Sequence, residues 1–382
     1  MNHDLMLTNA RIVLEDRIVE GALRVEDGRI AAIEEGRAMV RGSDDFDGDI
    51  LIPGLIDLHT DALESHLQPR RGVHWDGVAA AVAHDAVTVA AGITTVFDAL
   101  CVGQVAGRSG HEESLDGMLE GILEARSLGI LRADHLVHLR CEVTDPAVAG
   151  LLERRIAHPL VRLVSVMDHA PGHRQMKDAE HLRDTWMIGA NGMSPEEADR
   201  EIDALIERSR NVAPVMREKI VAMAHGRGIA VASHDDETAE HVEMAADLGI
   251  DIAEFPTTAE AARVAHGRGI AVLMGGPNLV RGGSHSGNVA AGELAREGVL
   301  DALMSDYIMS SMLMGAFKLA GPDFGWELPR AVATVTAKPA RVAGLKDRGR
   351  IAPGQRADMV QVRLAGGRPI VRGVWREGAR IY

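Results

Sequence analysis

Eight short apolar segments recur through the middle of the chain, at 54–61, 93–100, 135–142, 161–169, 229–235, 250–255, 270–274 and 302–306. Their continuous runs of Val, Ile and Leu suit strands covered on both faces, as in a parallel sheet flanked by helices. Between them lie stretches of helical character that end where helices should, at Leu128-Gly129-Ile130, His225-Gly226-Arg227-Gly228 and His266-Gly267-Arg268-Gly269. Eight β units with intervening helices predict an α/β fold, and a closed (β/α)8 TIM-like barrel in preference to an open doubly wound sheet.

The two ends of the chain read differently. Segment 5–13 is a mixed apolar strand, and Asp27-Gly28 between two further strand-like runs marks a two-residue hairpin turn, both positions of which need φ > 0. The C-terminal segment repeats this pattern, with turns at Gly366-Gly367 and Glu377-Gly378. The expected division is a small β-sandwich domain assembled from 1–50 and 349–382, beside a barrel over 51–348. One connection is long: 170–211 leaves the C-terminal end of the fourth barrel strand, carries Trp186, and opens a capped helix at Ser194-Pro195-Glu196-Glu197. An insertion at that place is read either as part of an active-site cover or as a contact between copies in a homo-oligomer.

A net charge of −15 argues against nucleic acid or an anionic membrane as the main partner. It leaves room for an anionic small molecule, because arginine and bound metal can reverse the sign inside a pocket. No apolar run approaches membrane-spanning length, and Met1-Asn2-His3-Asp4 lacks the basic and apolar regions of a secretory signal. Two cysteines, Cys101 and Cys141, are too few for a disulfide framework or a thiolate metal site. A cytoplasmic protein is the expectation.

The chemistry concentrates at the strand ends. In Pro53-Gly54-Leu55-Ile56-Asp57-Leu58-His59-Thr60-Asp61, residues two apart share a face, so His59 and Asp61 can point together into the barrel mouth as ligands for a divalent metal. Alone, a His-x-Asp pair is read equally well as a structural histidine. It does not stand alone: His138, Arg140 and Glu142 alternate along the third strand, the fourth ends Asp168-His169, the fifth Ser233-His234-Asp235-Asp236, and the eighth Ser305-Asp306. Polar groups gathered on one face of apolar strands are costly unless a polar site receives them, and barrels keep their chemistry at these ends. The expected metal ligands are His59, Asp61, Glu142, His169, His234 and Asp306, around one or two ions. Zinc, manganese, iron and nickel all suit such a donor set. Asp306 is also the expected catalytic residue, accepting a proton from the water that attacks. Arg140 and Glu254 are candidates for support behind the ligands; Glu254 reads equally as a ligand, as an acceptor behind one, or as the group neutralising an arginine. Asp57, His84 and Asp85 are expected to position loops or cap helices.

After the seventh strand comes a glycine-rich stretch, 275–288, which leaves backbone N–H groups accessible and precedes a helix near Ala290. Arg281 supplies a planar fork for phosphate oxygens, and Ser284, His285, Ser286 and Asn288 add donors, in the place where this fold commonly holds phosphate. A flexible lid that binds no anion would also account for the glycines.

With these residues in view, the chain resembles the amidohydrolase superfamily over nearly its whole length. The resemblance rests on Pro53 to Asp61, Asp306, and the return segment from Gly349-Arg350-Ile351 through Gly354 to Ala357-Asp358. More narrowly, it is similar to the ribosyl-triphosphate diphosphatases of the carbon–phosphorus lyase route of phosphonate use. His138 to Glu142, Met167 to Gly172, Ala232 to Asp236, Ala253 to Thr258, Leu273 to Asn288 and Ser305-Asp306-Tyr307 carry that closer likeness. It implies hydrolysis of an anionic ribosyl triphosphate to the 5-phosphate and pyrophosphate, by attack of metal-activated water on the α-phosphorus. Many members of the superfamily bridge two ions with a carboxylated lysine. The five lysines here are Lys177, Lys219, Lys318, Lys338 and Lys346, so none precedes Arg174, and Glu142 is the expected replacement. The ligand order also resembles that of binuclear dipeptidases, which makes a metallo-amidase or dipeptidase the second reading. A substrate with one carboxylate would not need the loop from Arg281 to Asn288. A third reading, a ligand-binding barrel or scaffold without catalysis, requires the polar strand ends to hold no metal.

Overall fold

The computed structural model describes residues 4–70, 72–104, 111–284 and 286–382. Five strands open the chain, β1 (Leu5–Val13), β2 (Ile18–Glu26), β3 (Arg29–Glu35), β4 (Asp44–Asp45) and β5 (Ile50–Pro53). Eight follow in the middle: β6 (Leu55–Thr60), β7 (Ile93–Val102), β8 (Asp134–Glu142), β9 (Val161–Met167), β10 (Ala230–His234), β11 (Ile252–Glu254), β12 (Ala271–Gly275) and β13 (Ala302–Met304). The last three are β14 (Met359–Ala365), β15 (Arg368–Arg376) and β16 (Ala379–Arg380).

Strands β6 to β13 pair in sequence order, each parallel to the next, with helices between them. The ring closes where β6 meets β13. Thr60 bridges Asp306, the Asp306 amide donates to the His59 carbonyl at 3.0 Å, and the Asp61 amide donates to the Asp306 carbonyl at 2.8 Å. Asp57 reinforces this seam by accepting from the Ser305 and His59 amides. The lower barrel is packed with Ile56, Leu58, Phe97, Leu163, Leu273 and Met304, so it is a filled core and not a pore.

The terminal strands form one hydrogen-bonded sheet in the order β16-β15-β14-β5-β1-β2-β3, with β4 paired to β1. The β2–β3 turn has positive φ at both Asp27 (50°) and Gly28 (74°), as its sequence requires. Only Gly54 separates β5 from β6, and a Cβ there would collide with Thr94. Phe46 stacks on Trp375 within the sheet's own apolar cluster. At the barrel's lower end Asp134 accepts from Arg348, Arg356 and Arg376, three arginines from the C-terminal segment.

The excursion after β9 is helical. It contains a π-helical turn, Leu182–Ala190, and the helix Pro195–Asn211, whose N-cap Ser194 and Glu197 form a reciprocal capping box. Leu182, Met187, Ala198 and Leu205 give it a small core of its own. The glycine-rich stretch after β12 is less loop-like than its composition suggests. Gly276–Arg281 is a short helix with Pro277 in its first turn, ended by Gly282 at φ 89°. Among the described residues no helix is long and apolar enough to cross a membrane.

Candidate metal centre and active site

The seam that closes the barrel also assembles the first group of ligand-type side chains. Because Asp306 pairs directly with His59 and Asp61, these three offer donor atoms lying within 4.8 Å of one another. His59 is buried, with Nε2 3.4 Å from Asp61 Oδ1. A second group, His169, His234 and Asp235, meets the same limit from β9 and β10. His234 Nε2 lies 3.3 Å and His169 Nε2 3.8 Å from Asp235 Oδ2. The groups adjoin: the His59 and His234 rings face one another nearly parallel, with centroids 6.1 Å apart, and His169 meets His234 edge-on at 5.7 Å.

Glu254 lies beneath both groups. One of its oxygens faces His59 Nδ1 at 2.7 Å and the other His234 Nδ1 at 2.6 Å. Of the three roles its sequence left open, these contacts fit an acceptor behind His59 and His234, while its donor atoms also lie close to those of His59 and His138. Glu142, expected as the bridging ligand, belongs to neither group. Its Oε2 faces His169 Nδ1 at 2.7 Å and its Oε1 accepts from Thr144 Oγ1 at 2.6 Å, so both oxygens are engaged on the far side of His169. Asp168 faces away from the centre. It accepts from Ser209 Oγ and lies near His173 and Arg217, tying down the base of the excursion. His169 is therefore the member of that pair that reaches the cavity.

Asp235 is not among the expected ligands, because strict strand alternation sends it away from His234. Its backbone is left-handed (φ 55°), as are those of Phe255 (53°) and Asp306 (59°) just beyond β11 and β13. Non-glycine residues held there carry strain of order 1–3 kcal/mol, a feature that gathers at functional sites. The available sequence signal was the residue type, since aspartate tolerates this region better than most.

Arg140 reaches into the same centre. It donates to Asp61 Oδ1 at 2.8 Å, and its other terminal nitrogen lies 3.4 Å from His234 Nε2. Burial alone would depress the pKa of His59, but the Glu254 and Asp61 carboxylates override it and push it up to about 10. Surroundings that favour a proton so strongly also favour a divalent cation. His138 goes the other way. Burial, and then its cationic neighbours against the pull of Glu254, press it to about 3, leaving a neutral ring whose Nδ1 donates to the Leu58 carbonyl at 3.1 Å. Burial, reinforced by Asp61, raises the pKa of Asp306.

These groups floor a cavity of about 400 Å³. Arg281, Ser284 and Asn288 line it from the glycine-rich stretch, Gln175 and Met176 from the excursion, and Phe255 and Tyr307 from the strand ends. Ser286 is exposed and meets Gln175 Nε2 at 3.2 Å, outside the lining; His285 lies outside the described residues. Asn288 Nδ2 also donates to Gln175 Oε1, so the excursion and the anion-loop candidates are joined over the cavity. No described lining residue is a lysine. The imidazole and carboxylate donors fit a transition metal of the zinc, manganese, iron or nickel type better than an all-oxygen calcium site.

Two further groups bring donor atoms equally close among the described residues: His59, His138 and Glu254 beneath the centre, and His84, Asp98 and His135, which lie between the barrel and the helix Gly77–Ala90. Asp98 is bonded by His84 Nε2 at 2.7 Å and by His135 Nδ1 at 2.8 Å, while Asp85 holds the Arg132 and Ala133 amides ahead of β8. The side chains of His84, Asp98 and His135 are buried, with only His84 Nδ1 left without a hydrogen-bond partner among them, and we read this group as structural.

An amidohydrolase family model matches residues 185–382. The chain is 41% identical over 379 residues to the alpha-D-ribose 1-methylphosphonate 5-triphosphate diphosphatase of Escherichia coli K12, covering 99% of this chain and all of that one. An imidazolonepropionase from Deinococcus deserti is 30% identical over 184 residues, 43% of this chain and 44% of its own. Among solved structures, 5-methylcytosine deaminase from Klebsiella pneumoniae superposes with a TM-score of 0.66 over 99% of this chain and 98% of its own at 16% identity. N-acetyl-D-glucosamine-6-phosphate deacetylase from Mycobacterium smegmatis does so with 0.64 over 99% and 100% at 17% identity, so both share the fold. A barrel with its donors at the closing seam, a sheet drawn from both termini and a near full-length relative agree: the chain belongs to the amidohydrolase family.

Proposed function

We propose that the chain is a metal-dependent diphosphatase that cleaves α-D-ribose 1-methylphosphonate 5-triphosphate to the 5-phosphate and pyrophosphate. The observation that carries this reading is a single cavity with paired histidine–carboxylate groups on its floor and Arg281, Ser284 and Asn288 on its wall. The full-length similarity to the Escherichia coli diphosphatase supports the choice of substrate. His59, Asp61 and Asp306 would hold one divalent ion and His169, His234 and Asp235 a second. When bound, such ions supply Lewis acidity, lowering the pKa of water towards neutrality and offsetting phosphate charge.

The chain's own groups then do the following. Asp306 accepts the proton of the attacking water, a task helped by its raised pKa. Arg140, set beside Asp61, meets negative charge that grows on the α-phosphoryl oxygens, while the bond from the α-phosphorus to the leaving oxygen breaks. Arg281 with Ser284 and Asn288 holds the departing pyrophosphate end, and Gln175 closes the cavity above it. Glu142 and Glu254 orient His169, His59 and His234 from behind.

The test is pyrophosphate release by the metal-loaded protein from this triphosphate, from nucleoside triphosphates and, as hydrolysis, from small amides and dipeptides. Release from the ribosyl triphosphate at a kcat/KM well above the nucleotides is expected. Activity on amides alone would return the protein to the amidase reading.

A further inference from the structure

We infer that Glu254 is a positioning residue that fixes the tautomers of two ligand histidines at once; this rests on the metal-dependent reading above. The residue ends β11 and is 1% exposed. Its oxygens are divided between the two halves of the centre, one facing His59 Nδ1 at 2.7 Å and the other His234 Nδ1 at 2.6 Å. A carboxylate can only accept. Both imidazoles must therefore carry their proton on Nδ1, and both Nε2 atoms are directed to the carboxylates at the cavity floor, Asp61 at 3.4 Å and Asp235 at 3.3 Å. His138 does not compete for Glu254, because its Nδ1 donates to the Leu58 carbonyl and stays 3.8 Å away.

Glutamate is the side chain that this geometry demands. Glutamine has the same shape but offers one acceptor and one donor. With glutamine at 254, one histidine keeps its Nδ1–H. The other must turn a bare Nδ1 towards the amide, which moves its proton to Nε2 and removes that nitrogen as a ligand. A single carboxylate thus couples the two histidines.

The experiment is Glu254→Gln in the full chain, with zinc as the probe. The zinc dissociation constant, from chelator competition, should rise on the order of 10- to 100-fold. Proton–nitrogen correlation spectra of labelled imidazoles should show one of the two rings switched from Nδ1–H to Nε2–H, a change that a merely structural role would not produce. Glu254→Asp, which keeps two accepting oxygens, should retain both Nδ1–H forms and lose less zinc affinity than the glutamine variant. Unchanged tautomers and wild-type zinc affinity in a folded Glu254→Gln protein overturn the inference. Should that variant not fold, the wild-type spectrum decides: a proton on Nδ1 of both rings is required, and a bare Nδ1 on either one overturns it. A wild type that binds no zinc and releases no pyrophosphate would instead refute the metal-dependent reading, while its tautomer spectrum would still report on Glu254.

Discussion

Two side chains, Asp306 and Arg281, test the proposed site, the first through turnover and the second through binding. Replacing Asp306 by Asn keeps the size and one acceptor oxygen but removes the proton acceptor, so kcat for pyrophosphate release should fall about 10²–10⁴-fold. Substrate should still bind, and an isotherm on the variant with unchanged affinity and unchanged kcat would remove the assignment. Arg281→Ala leaves backbone donors in place and should lose about 1.5–3 kcal/mol of charge-assisted bonding to phosphate, read as a rise in KM for triphosphates. Equal losses on a small amide would show that Arg281 does not serve phosphate. The sequence places His59, Asp61, His169, His234 and Asp306 at or just beyond strand ends, and the structure brings all five around one cavity. Asp235 escaped because a left-handed φ, invisible to a period-two argument, turns it back. Nothing local in the sequence reveals that Glu142 meets His169 and Thr144 with its two oxygens.

Between elements, the excursion and the stretch after β12 meet through Gln175, which bonds both Ser286 and Asn288. These bonds are partly wet, each with a net worth of roughly 0.5–1.5 kcal/mol. Gln175→Ala should therefore raise KM for the triphosphate several-fold and leave the thermal midpoint nearly unchanged, because the excursion keeps its own apolar core. A large fall in the midpoint with an unaltered KM would mean that Gln175 serves stability and not the site. All eight barrel strands were legible at this scale, since strands buried on both faces advertise themselves as apolar runs. The helix Gly276–Arg281 was not, because glycine content masks the helix-starting effect of Pro277. The π-helical turn at Leu182–Ala190 depends on packing within the excursion and leaves no periodic signature.

Across the whole molecule, the stability should carry a pH signature from the closed network between the barrel and the helix Gly77–Ala90. His135 of β8 is fully buried between Asp98 of β7 and Asp85 of that helix, with Arg132 on the far side of Asp85 and His84 on the far side of Asp98. Burial alone would lower its pKa, but the two carboxylates raise it to about 9. The folded value lies above the unfolded one of about 6.5, so the stabilisation is fully present below pH 6.5 and is lost as pH rises towards 9. A shift of that size corresponds to roughly 3 kcal/mol across the window. Asp98 has the opposite sign. Burial would raise it, but His135 and His84 hold it at about 2, so its contribution is present above pH 4 and is lost as pH falls towards 2. Denaturant unfolding of the wild type should therefore weaken between pH 6.5 and 9, while His135→Gln, lower in stability throughout, should show a flatter profile over that range. Groups elsewhere that titrate in the same window, those of the metal centre included, contribute to both proteins, so the difference between the two slopes belongs to His135. Parallel slopes would mean that His135 is neutral in the folded protein and that the network is held by hydrogen bonds without a buried positive charge.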